Sequence, residues 1–140
     1  MRTAILPAKA MILARGKFQA FELEPGDLIQ AYDYNARRPV MAAISTNTPV
    51  EPVKKILAPV LQFKIIPFSL VTKALTPQGE KSLADGARQF IGYCNSNPTK
   101  LLIRTIDALI EYDEMVDAVQ LMWEWPQYIW VEGILVGIDA

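Results

Sequence analysis

Four carboxylates lie close together in the sequence, at Glu111, Asp113, Glu114 and Asp117. Paired carboxylates can bind Ca²⁺ or Mg²⁺, or exchange protons as a general acid and a general base. The spacing lacks the glycine and the regular ligand positions of a calcium-binding EF-hand loop. We therefore interpret the cluster as the solvated end of a strand, and we predict no metal site and no cofactor.

The chain contains no histidine and a single cysteine, Cys94. Histidine is the usual general base near neutral pH and the commonest metal ligand, so its absence excludes Ser-His and Cys-His nucleophilic sites and ordinary zinc sites. With no histidine to activate it, Cys94 is interpreted as a small buried apolar residue. A lone cysteine excludes an internal disulfide, which fits a reducing compartment.

Two short basic pairs, Arg37-Arg38 and Lys54-Lys55, lie in predicted loops. Basic side chains in loops can contact phosphates, but the formal net charge of the chain is −1. A nearly neutral molecule has no overall field that attracts nucleic acid, so the sequence argues against a nucleic-acid partner. A β-rich nucleic-acid-binding module stays an alternative that salt-dependent binding to DNA or RNA would favour.

Three tryptophans, Trp123, Trp125 and Trp130, form an aromatic group near the end of the chain. Half-exposed tryptophans often anchor protein interfaces, and we take these three as candidate binding residues. Packing in the core is an equally good interpretation of the same group. The proline- and threonine-rich stretch 45–52 is the second candidate contact surface, because such a loop can become ordered on a partner.

The elements that must position these residues are short. Ten prolines and seven glycines are spread along 140 residues, so long helices are not expected. Apolar runs separated by turns predict an all-β domain, and the length suits a single domain that spans residues 1–140. The predicted strands are residues 11–13, 18–23, 28–34, 40–44, 56–63, 68–75, 101–112, 115–123 and 128–138, with a loop at 45–52.

Residues 80–114 are the part of the chain whose secondary structure the sequence leaves open. Apolar residues between 83 and 94 recur at helical spacing, but Gly86 and Gly92 each disfavour a helix by ~1 kcal/mol relative to alanine. We interpret residues 80–93 as a turn that leads into a strand. Residues 101–112 are predicted as a strand, although their isoleucines also fit one helix face.

The apolar run at the start of the chain is too short for a signal peptide before Lys9. No uncharged stretch approaches the ~20 apolar residues that a membrane-spanning helix needs. We therefore expect no membrane partner and a location in the cytoplasm or in a virion.

Three blocks of the sequence resemble the Hint family, which comprises inteins, hedgehog autoprocessing domains and bacterial intein-like domains. Residues 11–33, MILARGKFQAFELEPGDLIQAYD, are similar to the opening of the family, with its glycine turn and its "E-L-x-P-G-D" motif. Residues 66–86 resemble its central stretch, and residues 130–138, WVEGILVGI, resemble its terminal "F-V-N-G-I-L-V-H-N" motif. The resemblance implies a compact β fold with a pseudo-two-fold arrangement of short strands.

The resemblance also implies where the splicing residues of the family would lie. Counting back from Ile12, the position of the Cys or Ser nucleophile falls on Ile5. The central Thr-x-x-His positions fall on Phe63 and Ile66. The terminal His-Asn pair is replaced by Gly137 and Ile138.

Four of these five replacements are large and apolar, so the sequence predicts that the former site has become buried core. It predicts in turn that the chain is not an enzyme and acts on no small-molecule substrate. The leading hypothesis is a structural or interaction module of a larger assembly of proteins. A phage or virus-like particle is the specific expectation, since Hint-type domains are common in phages and mobile elements. Residual self-processing by an unusual route is the main alternative.

Overall fold

The computed structural model describes residues 1–14, 17–60, 64–69, 73–82, 88–94, 97–105, 110–124 and 128–139. Apart from one short 3-10 helix at Ala20–Glu22, every element that it describes is a β-strand, which confirms the all-β prediction. The strands are β1 (Arg2–Pro7), β2 (Met11–Leu13), β3 (Lys17–Gln19), β4 (Leu28–Asp33), β5 (Arg38–Val60), β6 (Lys64–Ser69), β7 (Lys73–Thr76), β8 (Gly79–Ser82), β9 (Gln89–Cys94), β10 (Asn97–Thr105), β11 (Ile110–Trp123), β12 (Tyr128–Val131), β13 (Ile134–Val136) and β14 (Ile138–Asp139).

Hydrogen bonds join these strands in the order β10-β9-β13-β12-β4-β5-β11-β1-β14, and every pairing is antiparallel. Strand β5 connects the two halves of this path because different parts of it have different partners. Its first residues pair with β4, its middle pairs with β11, and its end pairs with both β11 and β6.

The stretch 45–52 belongs to β5, so the prediction that it is a loop is wrong. Pro49 lies opposite Val119 of β11, and the register of this pairing shifts nearby, between Val50 and Val53. Proline is tolerated where a strand is paired on one side, because its missing N–H then faces away from the ladder. Lys54-Lys55 lies in the same strand and not in a loop.

The predicted strand 18–23 is interrupted, since β3 ends at Gln19 and the 3-10 helix follows. The side-chain amide of Asn47 donates hydrogen bonds to the carbonyl oxygens of Ala20 (3.0 Å) and Leu23 (2.7 Å). These bonds satisfy carbonyl groups that a strand would have paired with its neighbours. Asn47 on β5 therefore stabilises a turn at residues 20–23, where the local apolar pattern predicted a strand.

The predicted strand 128–138 is a hairpin made of β12 and β13, so that prediction is wrong in its extent. Glu132 and Gly133 form the two-residue turn, with φ of 51° and 85°. Positive φ at both central residues gives a turn whose twist matches that of the flanking strands. The predicted strand 68–75 is likewise divided between β6 and β7, with residues 70–72 outside the described part.

The part of residues 80–114 that the structure describes is extended, as strands β8, β9, β10 and the start of β11. The turn-then-strand interpretation of 80–93 is confirmed for β9 but wrong for residues 80–82, which belong to strand β8. Residues 83–87 lie outside the described part. The predicted strand 101–112 is shared between β10 and β11, and residues 106–109 are not described. Among the described residues, no helix is long and apolar enough to cross a membrane.

Two clusters of buried apolar side chains form the core. The larger cluster includes Leu6, Ile29, Leu121 and Trp123, so it lies between β1, β4 and β11. The smaller cluster is built around Trp130, whose ring meets that of Tyr32 edge-on at 6.2 Å between centroids. Aromatic residues bury much apolar area, so both clusters contribute strongly to stability.

Candidate functional site

The first and last strands of the chain lie side by side. Arg2 pairs with Asp139 and Thr3 pairs with Ile138, while the whole length of β1 also pairs with β11. Strand β6 contacts β1 as well. The structure thus brings together the backbones of β1, β6 and β14, which carry three of the five positions singled out from the sequence.

The sequence predicted that these positions lie in a buried core, and Ile5 differs from this prediction. Ile5 is only partly buried, although its neighbours Ala4 and Leu6 on the opposite face of β1 belong to the core. Ile66 lies in β6, opposite Ala58 of β5. The side chains of Ile66 and Ile138 lie outside the described part of the chain, and so does all of Phe63. Their convergence into one buried apolar cluster stays a prediction.

Thr3, which the sequence analysis did not single out, is the residue directly opposite Ile138. Its hydroxyl donates a hydrogen bond to the carbonyl oxygen of Leu121 (2.9 Å) and accepts one from the side-chain amide of Gln120 (3.2 Å). Thr3 is 8% exposed, so this hydroxyl is buried. Alternation along β1 puts Thr3 and Ile5 on the same face of the strand.

A charged cluster that joins the buried Arg2 and Tyr128 to the exposed Glu80 lies beside Thr3. The Nη1 atom of Arg2 donates to Oε1 of Glu80 at 2.6 Å, and the hydroxyl of Tyr128 donates to the same oxygen at 2.6 Å. The guanidinium also lies over the Tyr128 ring, 3.9 Å from its centroid. The two donors and the aromatic face compensate for taking the charges out of water, and they tie β1 to β8 and β12.

Gly137 is buried next to this cluster, and only glycine fits there. A Cβ atom at this position would lie 2.7 Å from Cζ2 of Trp123 and 3.4 Å from Cδ of Arg2. The backbone also has φ of 142°, which side-chain-bearing residues rarely adopt. The glycine at the family's histidine position thus allows the close approach of Trp123.

Trp123 and Trp130 are both fully buried, so neither can provide an exposed contact surface. The prediction that they are binding residues is wrong, because each indole fills the centre of a core cluster. Trp125 lies outside the described residues. The sequence interpretation that assigned the group to core packing describes Trp123 and Trp130 correctly.

A surface groove lies at a different place, between β3, the 3-10 helix and the start of β4. Its volume is about 290 Å³, and it is lined by Ala14, Phe18, Glu22, Leu23, Asp27 and Leu28. Phe18 and Leu28 are 41% and 56% exposed, and the nearby Phe21 is 51% exposed. We call these three side chains the apolar patch. The residues of the apolar patch belong to the stretch 17–28, KFQAFELEPGDL. Predicting residues 18–23 as one strand gave no indication that Phe18 and Phe21 are both exposed.

The acidic residues Glu111, Asp113, Glu114 and Asp117 lie in β11, and Glu114 and Asp117 are exposed. Within the described residues, no group of three or more histidine, cysteine, aspartate or glutamate side chains is arranged to hold a metal ion. Arg37 is exposed in the turn between β4 and β5, and its guanidinium lies 4.0 Å from the centre of the Tyr34 ring.

Solved structures that resemble the chain include inteins and a bacterial intein-like domain. The chain is 13% identical to a mutant of an Ssp DnaB mini-intein variant, with a TM-score of 0.84 over 97% of this chain and 93% of that one. It is 14% identical to a DnaB intein from Synechocystis sp. PCC 6803, with a TM-score of 0.82 over 99% of both chains. A bacterial intein-like domain from Clostridium thermocellum is 10% identical, with a TM-score of 0.74 over 96% of this chain and 98% of that one.

No family model matches the chain, and no curated protein matches it. The structural likeness corrects one expectation from the sequence, namely that the chain is not an enzyme. Its structural neighbours are inteins, which are self-splicing proteins with catalytic activity, and the replaced side chains do not by themselves show inactivity. At these sequence identities the likeness establishes the architecture, and the chain therefore has the Hint fold of the inteins.

Proposed function

We propose that this Hint domain works as a protein-docking subunit of a larger assembly. The observation that carries the proposal is the apolar patch around the groove, where Phe18, Phe21 and Leu28 are each between 41% and 56% exposed. Clustered exposed apolar side chains at a concave surface are typical of interaction sites, because covering them removes apolar area from water.

The assembly that we propose is a phage or virus-like particle, with the domain in the particle or in the cytoplasm of the infected cell. The ground for this choice is that Hint-type domains are common in phages and mobile elements. The partners are proteins, and a stable subunit needs an interface of ~1,000 Å² or more, of which the groove would form the centre.

We expect Leu28→Glu to leave the isolated domain folded and to weaken its incorporation into the particle at least ~10-fold, since burying one leucine is worth roughly 1.5–3 kcal/mol. The measurement is co-sedimentation with particles from cells that express the variant, alongside a thermal melt. Ile103→Glu is the matched control, because Ile103 is 52% exposed on the distant strand β10. Equal incorporation of both variants would mean that the groove is not the docking surface.

A second candidate function is self-processing at the bond between Arg2 and Thr3. The observation that favours it is the buried hydroxyl of Thr3 opposite Ile138, where the two ends of the chain meet. In this reaction the Thr3 oxygen attacks the carbonyl carbon of Arg2, an ester bond forms, and the C–N bond breaks. The hydroxyl proton passes to the freed amine, and a nucleophile from solution then cleaves the ester.

Incubation with hydroxylamine tests this reaction, because hydroxylamine cleaves an ester and leaves ordinary amides intact. Self-processing predicts that intact mass falls by the mass of residues 1–2 in the wild type and in Thr3→Ser. Thr3→Ala should keep its full mass, since it cannot form the ester. An unchanged mass for all three proteins would exclude self-processing at Thr3.

A further inference from the structure

The groove and the turn between β4 and β5 carry opposite charges at opposite ends of one hairpin. We propose that copies of this chain associate head to tail, with the hairpin tip of one copy, residues 34–38, docked in the groove of the next. The proposal rests on the proposed function, since it names a second copy of the chain as an occupant of the docking surface.

The groove end of the hairpin is acidic. Among the described residues that line the groove, Glu22 and Asp27 carry charge, and Glu24 lies exposed in the turn between them. Oδ2 of Asp27 accepts a hydrogen bond from the backbone N–H of Glu24 at 2.8 Å, which fixes this turn. An apolar groove with an acidic rim fits a segment that presents cationic side chains next to an uncharged one.

The tip of the hairpin presents two cationic side chains next to an uncharged residue. Arg37 and Arg38 are exposed there, followed by the exposed Pro39. Asp33 at the base of the tip offsets part of the charge, but its Oδ1 atom already accepts a hydrogen bond from the backbone N–H of Ala36 at 3.0 Å.

The tip is also ordered before it binds. The Arg37 guanidinium lies 4.0 Å from the centre of the Tyr34 ring, and the backbone of Arg37 has φ of 56°. The bond from Ala36 to Asp33 closes the same turn. Because these contacts hold the tip in one conformation, less entropy is lost when a partner immobilises it.

The two ends lie too far apart for the tip to enter its own groove. Leu28 and Asp33 are the first and last residues of β4, and a strand rises ~3.4 Å per residue, so roughly 17 Å separates them. The groove of a molecule can therefore receive a tip only from another copy. Two different surfaces meet in such a contact, so repetition produces a ring or a filament.

The experiment uses sedimentation velocity on the full chain over a range of concentrations, at low and at high salt. We expect reversible self-association that weakens with salt, because the contact pairs exposed opposite charges. Glu22→Lys/Glu24→Lys alters the groove, and Arg37→Gln/Arg38→Gln alters the tip. Because the glutamines carry no charge, the altered tip does not complement the altered groove. Each double variant alone should associate at least ~10-fold more weakly than the wild type, with an unchanged thermal melt.

An equimolar mixture of the two double variants provides the decisive measurement. The groove of the tip variant and the tip of the groove variant are both intact, so one wild-type contact can form. We expect a heterodimer that does not grow further, whereas the wild type forms longer species. A mixture that stays monomeric, or variants that associate as the wild type does, would overturn the head-to-tail contact.

The outcome also separates this inference from the proposed function. If the wild type is monomeric at all concentrations while Leu28→Glu still weakens incorporation into particles, a different protein fills the groove and the head-to-tail contact is refuted. If the wild type self-associates and the charge variants behave as expected, the contact is supported independently of particle incorporation.

Discussion

Replacing Trp123 by alanine should lower the free energy of unfolding by about 3–5 kcal/mol, a large fraction of the roughly 5–15 kcal/mol that is typical of folded proteins. Trp123 is fully buried in the larger core cluster, and its indole ring approaches the position of Gly137 closely. Alanine would leave a cavity between β1, β11 and the end of the chain. Hydrogen bonds between β1, β11 and β14 hold these strands in place, so they can fill the cavity only in part.

Urea unfolding followed by circular dichroism measures this loss. Phe21→Ala is the matched control, because Phe21 is an aromatic residue that is 51% exposed, and its replacement should change the free energy of unfolding by less than ~0.5 kcal/mol. A Trp123→Ala protein with a wild-type midpoint would contradict the position of this ring in the core.

Breaking the partly buried ion pair between Arg2 and Glu80 should give the second large effect. Glu80→Ala would leave the guanidinium of Arg2, which is 7% exposed, without the carboxylate that now accepts its hydrogen bond. An uncompensated buried charge costs 3–5 kcal/mol in fully buried pairs. Since the Glu80 side chain is 31% exposed and water can partly replace it, we expect about 2 kcal/mol here.

A double-mutant cycle isolates the interaction. Arg2→Met and Glu80→Ala should each destabilise the domain, and the double variant should be more stable than the sum of the two single effects predicts, because it leaves no buried charge. Tyr128→Phe removes the second hydrogen bond to Glu80 and should cost about 1 kcal/mol. Additive effects of the Arg2 and Glu80 variants would show that the ion pair contributes no coupling.

The strands near the ends of the chain illustrate how much the sequence could predict. Short apolar runs bounded by glycine and proline indicated β2, β4 and β12, because these signals act within a few residues. The Hint resemblance of residues 11–33 and 130–138 indicated the fold, which the structural likeness to inteins confirms.

Strand β5 illustrates what the same signals misjudge. Its residues 45–52 contain two prolines, which locally favour a loop, and they are extended because β11 pairs with them. The tryptophans present a similar case, since exposure depends on what packs against a ring and not on its neighbours in sequence. Both features are set by contacts between residues that are far apart along the chain.

The candidate sites divide in the same way. The sequence by itself determined that no histidine is available and that Ile5, Gly137 and Ile138 stand where the family resemblance places catalytic residues. Only the tertiary structure decided that Thr3 lies opposite Ile138. The reason is that the register between strands separated by more than a hundred residues depends on how complete sheets pack and pair, and a one-residue shift would turn every side chain to the other face.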